Sequence, residues 1–229
     1  LRPFARLAIA SDFSGPNEYI STETLLLAAR LGIAFVPLDR GRLSPEDLRG
    51  RRALLWCDAE PAPVSVRSWT ERGGTLIARA AALDGGPPGE LMDDGPPRFR
   101  VHRMGRGRVA VARGDFDDPW LLARDAHLLM SRRHDALRLF NGSGLQHRHA
   151  AGGSRHVVHL LNYTLRPAVH PVSVQLALPV KAARLHTPGG TAQTTAARRE
   201  LGGFEVHVPP FPLYAAVEFE VQGSSDADA

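Results

Sequence analysis

The clearest indication of the fold is ALLWCDAEPAPVSVRSWTERGGTLIARA, residues 53–80. Its two ends, 53–57 and 75–80, are apolar runs of the kind that form central strands buried on both faces of a sheet. Between them, residues 64–72 are predicted to form a short helix, which the Gly-Gly pair after it ends. A strand, a helix and a strand in this order predict a parallel βαβ unit.

The same alternation of strands and helices continues on both sides of this stretch. Upstream, apolar runs at 6–10 and 33–37 predict two further strands separated by a helix. That helix is expected to carry four residues on one face: Ile20, Thr24, Leu27 and Leu31. Downstream, the segments FRVHR and RVAVA predict an antiparallel hairpin at the sheet edge, and Asp118-Pro119 begins another helix. Together these elements predict a three-layer α/β domain over residues 1–134.

The pattern changes after about residue 135, where alternation with a period of two replaces helical spacing. Along 172–178, for example, valine and leucine occupy one face of a predicted strand, and serine and glutamine occupy the other. Turn residues interrupt these strands at short intervals. This predicts a small antiparallel β-sandwich of seven or eight strands over residues 135–222. The polar end of the chain, residues 223–229, is predicted to be a disordered tail.

The composition excludes several classes of protein. Of 28 basic residues only Lys181 is a lysine, and the arginines are interleaved with acids, so no nucleic-acid partner is expected despite the net charge of +4. No apolar run approaches the ~20 residues that span a bilayer, so no membrane partner is expected. A single cysteine, Cys57, excludes a disulfide framework and favours the cytoplasm. Because the chain begins at Leu1, we expect it to be trimmed or cut from a longer protein.

Candidate ligand-binding residues lie where the predicted parallel strands end. The loop SDFSGPNEY follows the first strand and is rich in hydrogen-bonding side chains, and open α/β sheets bind ligands at this edge. The candidate ligand-binding residues are Asp12, Asn17, Glu18, Tyr19, Asp39, Cys57 and Asp58. The alternative is that the loop residues cap the first helix and that Cys57 is a buried, inert thiol.

Motifs for catalysis, cofactors and metals are absent from the sequence. It contains no G-x-G-x-x-G or P-loop, no G-x-S-x-G, no H-E-x-x-H and no C-x-x-C, so we predict no catalytic residues, no cofactor and no metal. His147 and His149 are two positions apart and are therefore expected on one face of a strand. His156 and His159 are three positions apart and are expected on opposite faces. Two ligands on one face are too few for a structural metal site.

Three segments together carry a resemblance to known proteins. Residues 48–80 resemble class I glutamine-amidotransferase-like domains and, more closely, the non-catalytic trimerisation domain of family 42 glycoside hydrolase beta-galactosidases. GRGRVAVARGDF, residues 105–116, resembles a later hairpin of that domain. RHVVHLLNYT, residues 155–164, and the segments after it resemble the small β-domain that closes these enzymes. The resemblance covers nearly the whole chain and implies a flavodoxin-like, amidotransferase-like parallel sheet.

The resemblance implies a function but brings no active site with it. The amidotransferase nucleophile and its partners have no counterpart here, and the catalytic barrel of the beta-galactosidases is absent. The expected function is therefore a non-catalytic accessory or oligomerisation region of a carbohydrate-active enzyme. It would form a homo-oligomer, join an upstream barrel domain and contribute to carbohydrate binding. The alternative is a free-standing amidotransferase-like α/β hydrolase or small-ligand-binding protein, with its site at the carboxyl edge of the sheet.

Overall fold

The computed structural model describes residues 1–85, 89–92, 95–131, 134–142, 144–164, 166, 170–198 and 203–222. The chain divides into two compact units. One unit is Arg6–His134, and the other joins Leu1–Ala5 to Asp135–Ala229. The predicted tail, residues 223–229, lies outside the described residues.

The first five residues are grouped with the second unit rather than with the α/β domain predicted over residues 1–134. Strand β1 (Arg2–Pro3) pairs antiparallel with strand β10 (Leu145–Gly152), and the Phe4 amide donates to the carbonyl of His149 over 2.9 Å. This short edge pairing has no apolar period of its own, so the sequence pattern did not reveal it.

The Arg6–His134 unit contains a seven-stranded sheet in the order β3-β2-β4-β5-β8-β7-β6. Its strands are β2 (Leu7–Ser11), β3 (Phe35–Asp39), β4 (Ala53–Trp56), β5 (Thr75–Ala78), β6 (Leu91–Met92), β7 (Phe99–Met104) and β8 (Gly107–Ala112). The first five in spatial order are parallel, and β7 and β6 are antiparallel to their neighbours. The central strands are buried along their whole length, as expected for strands covered on both faces.

Three α-helices among the described residues cover the two faces of this sheet. They are α1 (Glu18–Arg30), α2 (Val64–Glu71) and α3 (Pro119–Met130). Helices α1 and α3 pack against each other, and their apolar residues join Ile9 and Ile77 in one core. Helix α2 lies on the opposite face, where Val64 and Leu76 line one small cavity. The predicted start of α3 is confirmed, because the Asp118 carboxylate accepts from the Leu121 amide at 2.9 Å.

Strand β3, the second parallel strand along the chain, begins later than predicted. The apolar run at 33–37 predicts a strand, but β3 pairs with β2 only from Phe35 to Asp39. The reason is the end of α1: Gly32 has a φ of +68°, and the Ile33 amide donates to the carbonyl of Ala28 over 3.0 Å. Because these residues complete the helix terminus, they are not available to the sheet.

The predicted hairpin is confirmed, with one addition. Strands β7 and β8 pair antiparallel from Phe99–Ala112 to Met104–Gly107. The segment between β5 and β7 also contributes the two-residue strand β6, which pairs with β7 and forms the sheet edge.

The second unit is a two-sheet, antiparallel β structure. One sheet has the order β1-β10-β11-β17-β13-β14, and the other has the order β15-β16-β12-β9. Its further strands are β9 (Leu137–Phe140), β11 (Arg155–Asn162), β12 (Val172–Leu176), β13 (Val180–Thr187), β14 (Gly190–Thr194), β15 (Ala197–Arg198), β16 (Phe204–Val208) and β17 (Tyr214–Val221). Side chains from both sheets, such as Leu160 and Val174, form one core. The described residues of this unit form ten strands rather than the predicted seven or eight. Edge strands such as β1 and β15 are too short to show an alternating pattern in the sequence.

Candidate functional site

The carboxyl ends of β2 and β4 meet at the edge where the sequence places its candidate residues. Ser11 is the last residue of β2, and Asp58 follows β4 by two positions. The Ser11 hydroxyl donates to one Asp58 oxygen at 2.5 Å, and the Asp12 amide donates to the other at 3.1 Å. Asp58 has no solvent exposure. The two strand ends are therefore joined by a buried carboxylate.

Arg40 brings three carboxylates together at this edge. It follows β3 directly, and its guanidinium lies 2.9 Å from Asp12, 3.0 Å from Asp58 and 2.7 Å from Glu60. Asp12 and Asp58 come from two neighbouring strands of the sheet. Arg40 therefore connects the carboxyl ends of β2, β3 and β4. Its positive charge offsets much of the negative charge of the three carboxylates.

The pKa values of this cluster follow from burial and from Arg40. Burial raises the pKa of Asp58 above its usual range, whereas the hydrogen bond from Ser11 and the charge of Arg40 act in the opposite direction. The pKa of Glu60 is lowered by the hydrogen bond from its own backbone amide and by Arg40. For Arg40, burial lowers the pKa, but the bond to Glu60 and the three carboxylates outweigh it and raise the pKa.

A second arginine organises the neighbouring part of the edge. Arg79 lies directly after β5, and it donates to the carbonyl of Cys57 at 2.6 Å and to the Asn17 side chain at 3.2 Å. Its other terminal nitrogen lies 3.1 Å from Asp115, and its guanidinium sits 5.3 Å from the centre of the Phe116 ring. Asn17 is buried, so it ties the start of α1 to the sheet through Arg79.

Cys57 lies in the apolar core of the α/β unit and has no solvent exposure. Burial and the neighbouring Asp58 raise the pKa of its thiol far above the usual range, and Arg79 offsets only part of this. The thiol is therefore protonated at neutral pH and out of reach of a dissolved substrate. This arrangement favours the interpretation of Cys57 as an inert core thiol.

The remaining candidates are separate from these two clusters. Glu18 and Tyr19 are in the first turn of α1 and are exposed, Tyr19 by 68 %. Asp39 accepts a hydrogen bond from the Gly41 amide at 2.9 Å and faces Arg42 at 3.7 Å, which is typical of a turn. No described contact joins them to Asp58. That any of the seven candidates binds a ligand stays a prediction.

The contacts of Ser11 at this edge do not suit it to act as a nucleophile. The Ser11 hydroxyl donates to Asp58 and accepts from the Phe13 amide at 3.1 Å, so its proton is committed to a buried carboxylate. A nucleophilic serine needs a base that takes its proton and a free approach for the substrate. Asp12 and Glu60 remain partly exposed around Arg40, and their oxygens are suited to hydrogen bonds with hydroxyl groups.

Sequence reasoning missed the two arginines that build the edge, Arg40 and Arg79. Part of the signal was present for Arg40, because it directly follows the candidate Asp39, three positions after the predicted strand 33–37. Its partners, however, are 28 residues away at Asp12 and 18 or 20 residues away at Asp58 and Glu60. Only the parallel sheet, which aligns all strand ends, brings them together.

Two further observations concern metals and membranes. Within the described part of the chain, no cluster of three or more histidine, cysteine, aspartate or glutamate side chains is arranged to hold a metal ion. His149 and His156 lie 3.0 Å apart as a pair, and His159 instead bonds Tyr214 at 2.8 Å on the other face of the sheet. Among the described helices, none combines the length and apolar character needed to cross a bilayer.

The fold has counterparts among solved structures, whereas no family model and no curated protein matches this chain. Alpha-L-fucosidase isoenzyme 2 from Paenibacillus thiaminolyticus superposes with a TM-score of 0.61 at 15 % identity, over 96 % of this chain and 49 % of that one. A beta-galactosidase from Bacillus circulans sp. alkalophilus gives 0.53 at 12 % identity, over 94 % and 41 %. A GH42 beta-galactosidase from G. stearothermophilus gives 0.50 at 12 % identity, over 95 % and 41 %.

At these low identities, the TM-scores show a shared fold alone. The chain spans about half of the fucosidase and about two fifths of each beta-galactosidase. Nearly the whole of this chain is therefore similar in fold to a part of larger glycoside hydrolases.

Proposed function

We propose that this chain is the non-catalytic accessory region of a glycoside hydrolase of the beta-galactosidase type. One observation carries the proposal: 94–96 % of the chain superposes on less than half of each of three glycoside hydrolases. In an isolated enzyme domain we would expect a free nucleophile or a free acid–base pair at the ligand edge. Here Arg40 pairs with Asp12, Asp58 and Glu60 instead.

The α/β unit is proposed to be a flavodoxin-like, amidotransferase-like domain that has lost or never had its chemistry. Numbered in chain order, its parallel strands β3, β2, β4, β5 and β8 lie in the order 2-1-3-4-5, which is the flavodoxin-like order. The switch point of such a sheet falls between β2 and β4, where Ser11 and Asp58 are bonded to each other. The buried Cys57 gives no support to a cysteine-based hydrolase.

The proposed partners are a second copy of the chain, an upstream catalytic barrel and a carbohydrate. Leu26 on α1 and both Trp120 and Leu128 on α3 are each close to half exposed, although these two helices pack side by side. Exposed apolar side chains on two helices that pack together support a contact between copies. The partly exposed Asp12 and the exposed Glu18 and Tyr19 are proposed to contact sugar hydroxyls. The proposed compartment is the cytoplasm, since Cys57 forms no disulfide.

The experiment that tests this function is the intact mass of the native gene product, purified from its own host. The proposal predicts a mass above 24.8 kDa by the size of a catalytic barrel, ~200 residues or more. The same preparation should hydrolyse an aryl galactoside, and a version without the region described here should lose its oligomeric state. A native product of 24.8 kDa without an enzymatic partner would overturn the proposal.

A further inference from the structure

A polar cavity of about 300 Å³ lies at the amino-terminal edge of the parallel sheet, opposite to the edge that holds Arg40. It is lined by Thr75 at the start of β5, by Arg108 near the start of β8 and by residues of the β7–β8 turn. Pockets that take small ligands begin at about this volume. No part of the proposed function uses this cavity.

The charge of the cavity is strongly one-sided. Four arginines line it, namely Arg52, Arg103, Arg106 and Arg108, together with His134. None of its described lining residues is an aspartate or a glutamate. Elsewhere in the chain the arginines are interleaved with acids, as around Arg40. A concave site lined by guanidinium groups concentrates small anions.

The wall of the cavity is held in place by contacts within the protein. The Arg108 Nε donates to the Thr75 hydroxyl at 3.2 Å, and a terminal nitrogen of Arg108 donates to the carbonyl of Leu129. Arg52 and His134 also keep contacts within the protein. These side chains are therefore fixed before a ligand arrives, which reduces the entropy lost on binding.

The β7–β8 hairpin carries the two exposed arginines of the cavity, and its turn is held against the end of α2. The Arg106 amide donates to the carbonyl of Glu71 at 2.8 Å. A Cβ on Gly107 would lie 1.9 Å from the carbonyl oxygen of Thr70, so only glycine allows this approach. Arg103 and Arg106 flank the turn, and their side chains are exposed. The clamp thus sets where both guanidinium groups emerge.

We infer that this cavity binds a small oxyanion, carried as a phosphate or a carboxylate group on a small molecule. The planar guanidinium fork matches both groups and can donate two parallel hydrogen bonds to either. Arg103 and Arg106 are the groups that engage the ligand, and Arg52 and Arg108 form the fixed positive wall, with His134 beside them. This inference is independent of the accessory role proposed above.

The test is a titration of the 229-residue chain with inorganic phosphate by isothermal calorimetry, at constant ionic strength with chloride as the competing anion. We expect binding with a Kd of about 1 mM or lower. The variant Arg103→Gln/Arg106→Gln should weaken it about tenfold or more, since each charge-assisted bond contributes that much. The matched control, Arg30→Gln/Arg42→Gln, removes the same charge from exposed positions that do not line the cavity and should bind as the unmodified chain does.

Sugar ligands then show whether the cavity prefers a phosphate or a carboxylate group. Glucose 6-phosphate and glucuronate carry the two groups on the same hexose scaffold, and glucose is the neutral control. Binding of either anionic sugar, without binding of glucose, supports the site and identifies its group. The inference is overturned if phosphate does not bind, or if the Arg103→Gln/Arg106→Gln variant binds it as tightly as the control variant. Circular dichroism and thermal unfolding verify that both variants are folded.

Discussion

At the scale of single residues, Arg40 is the side chain whose removal is most informative. In Arg40→Met the buried Asp58 carboxylate keeps its hydrogen bonds but loses its ion pair at 3.0 Å. We expect a loss of about 2–3 kcal/mol at pH 7, less than for a fully buried pair because Arg40 is partly exposed. Urea unfolding measures it. The matched control Arg49→Met breaks an exposed pair with Glu46 and should change stability by about 0.5 kcal/mol or less.

The pH dependence of the Arg40→Met effect has a defined sign. Burial already raises the pKa of Asp58, and loss of Arg40 raises it further. The folded variant therefore holds a proton that the unfolded chain releases, and its stability falls as pH rises above the usual aspartate range. The difference from the unmodified chain should shrink at pH 4, and adding Asp58→Asn should remove most of it at pH 7. A deficit that is constant with pH would mean that packing, not charge, causes it.

Cys57 gives a second prediction at this scale. Because its thiol is fully buried and its pKa is strongly raised, the native protein should not react with a thiol reagent such as dithionitrobenzoate at pH 8. It should release one equivalent in guanidinium chloride. The variant Cys57→Ala provides the blank in both conditions. Rapid reaction of the native chain would revive the cysteine-based alternative, which needs an accessible thiolate.

At the scale of secondary-structure elements, strands β10 and β11 carry a buried pair of neutral histidines. His149 and His156 lie 3.0 Å apart, and the Phe4 ring packs on both. Burial, then the neighbouring His156 and His147, lower the pKa of His149 to about 3, and burial lowers that of His156. The unfolded chain takes up protons below about pH 6.5, whereas the folded pair does not. Stability is therefore expected to fall as pH decreases from 6.5.

The measurement is the free energy of unfolding in urea at pH values from 7 to 4.5. Each histidine that stays neutral in the fold contributes a slope of up to about 1.4 kcal/mol per pH unit. The variant His149→Leu/His156→Leu should be less sensitive to acid over this range. The control His170→Gln changes an exposed histidine and should keep the original slope. If the pair variant keeps it too, the acid sensitivity arises elsewhere.

Most of the elements were predictable because they have a local cause, whereas the short edge strands β1, β6 and β15 were not. Apolar runs predict the central strands, glycines at Gly32 and at the Gly-Gly pair end helices, and Asp118 predicts the start of α3. The misplacements are local as well, such as the delay of β3 by the helix terminus at Ile33. The location of the candidate site at the carboxyl edge of the sheet was predictable from the order of strands and helices. The side chains that meet there were not predictable. The partners of Arg40 and Arg79 are distant in the chain, and a single sequence gives no signal for which distant residues pair.

At the scale of the whole molecule, the proposed role as an oligomerisation region makes a direct prediction for the isolated chain. Sedimentation velocity should detect self-association that depends on exposed apolar side chains of α1 and α3. Substituting Leu26→Glu and Leu128→Glu places charge on this surface, since both side chains are nearly half exposed. Two lost apolar contacts correspond to roughly 3 kcal/mol, or about a hundredfold weaker association.

The control for this experiment lies on the opposite face of the sheet. Val64 on α2 is 79 % exposed, so Val64→Glu adds charge to an apolar surface position without touching α1 or α3. If association weakens only in the Leu26→Glu/Leu128→Glu variant, the contact between copies runs through those two helices. If Val64→Glu weakens it equally, charge in general opposes association and the surface is not specific. If the unmodified chain is monomeric at all concentrations, oligomerisation has to be carried by another part of the enzyme, and the role proposed for α1 and α3 is wrong.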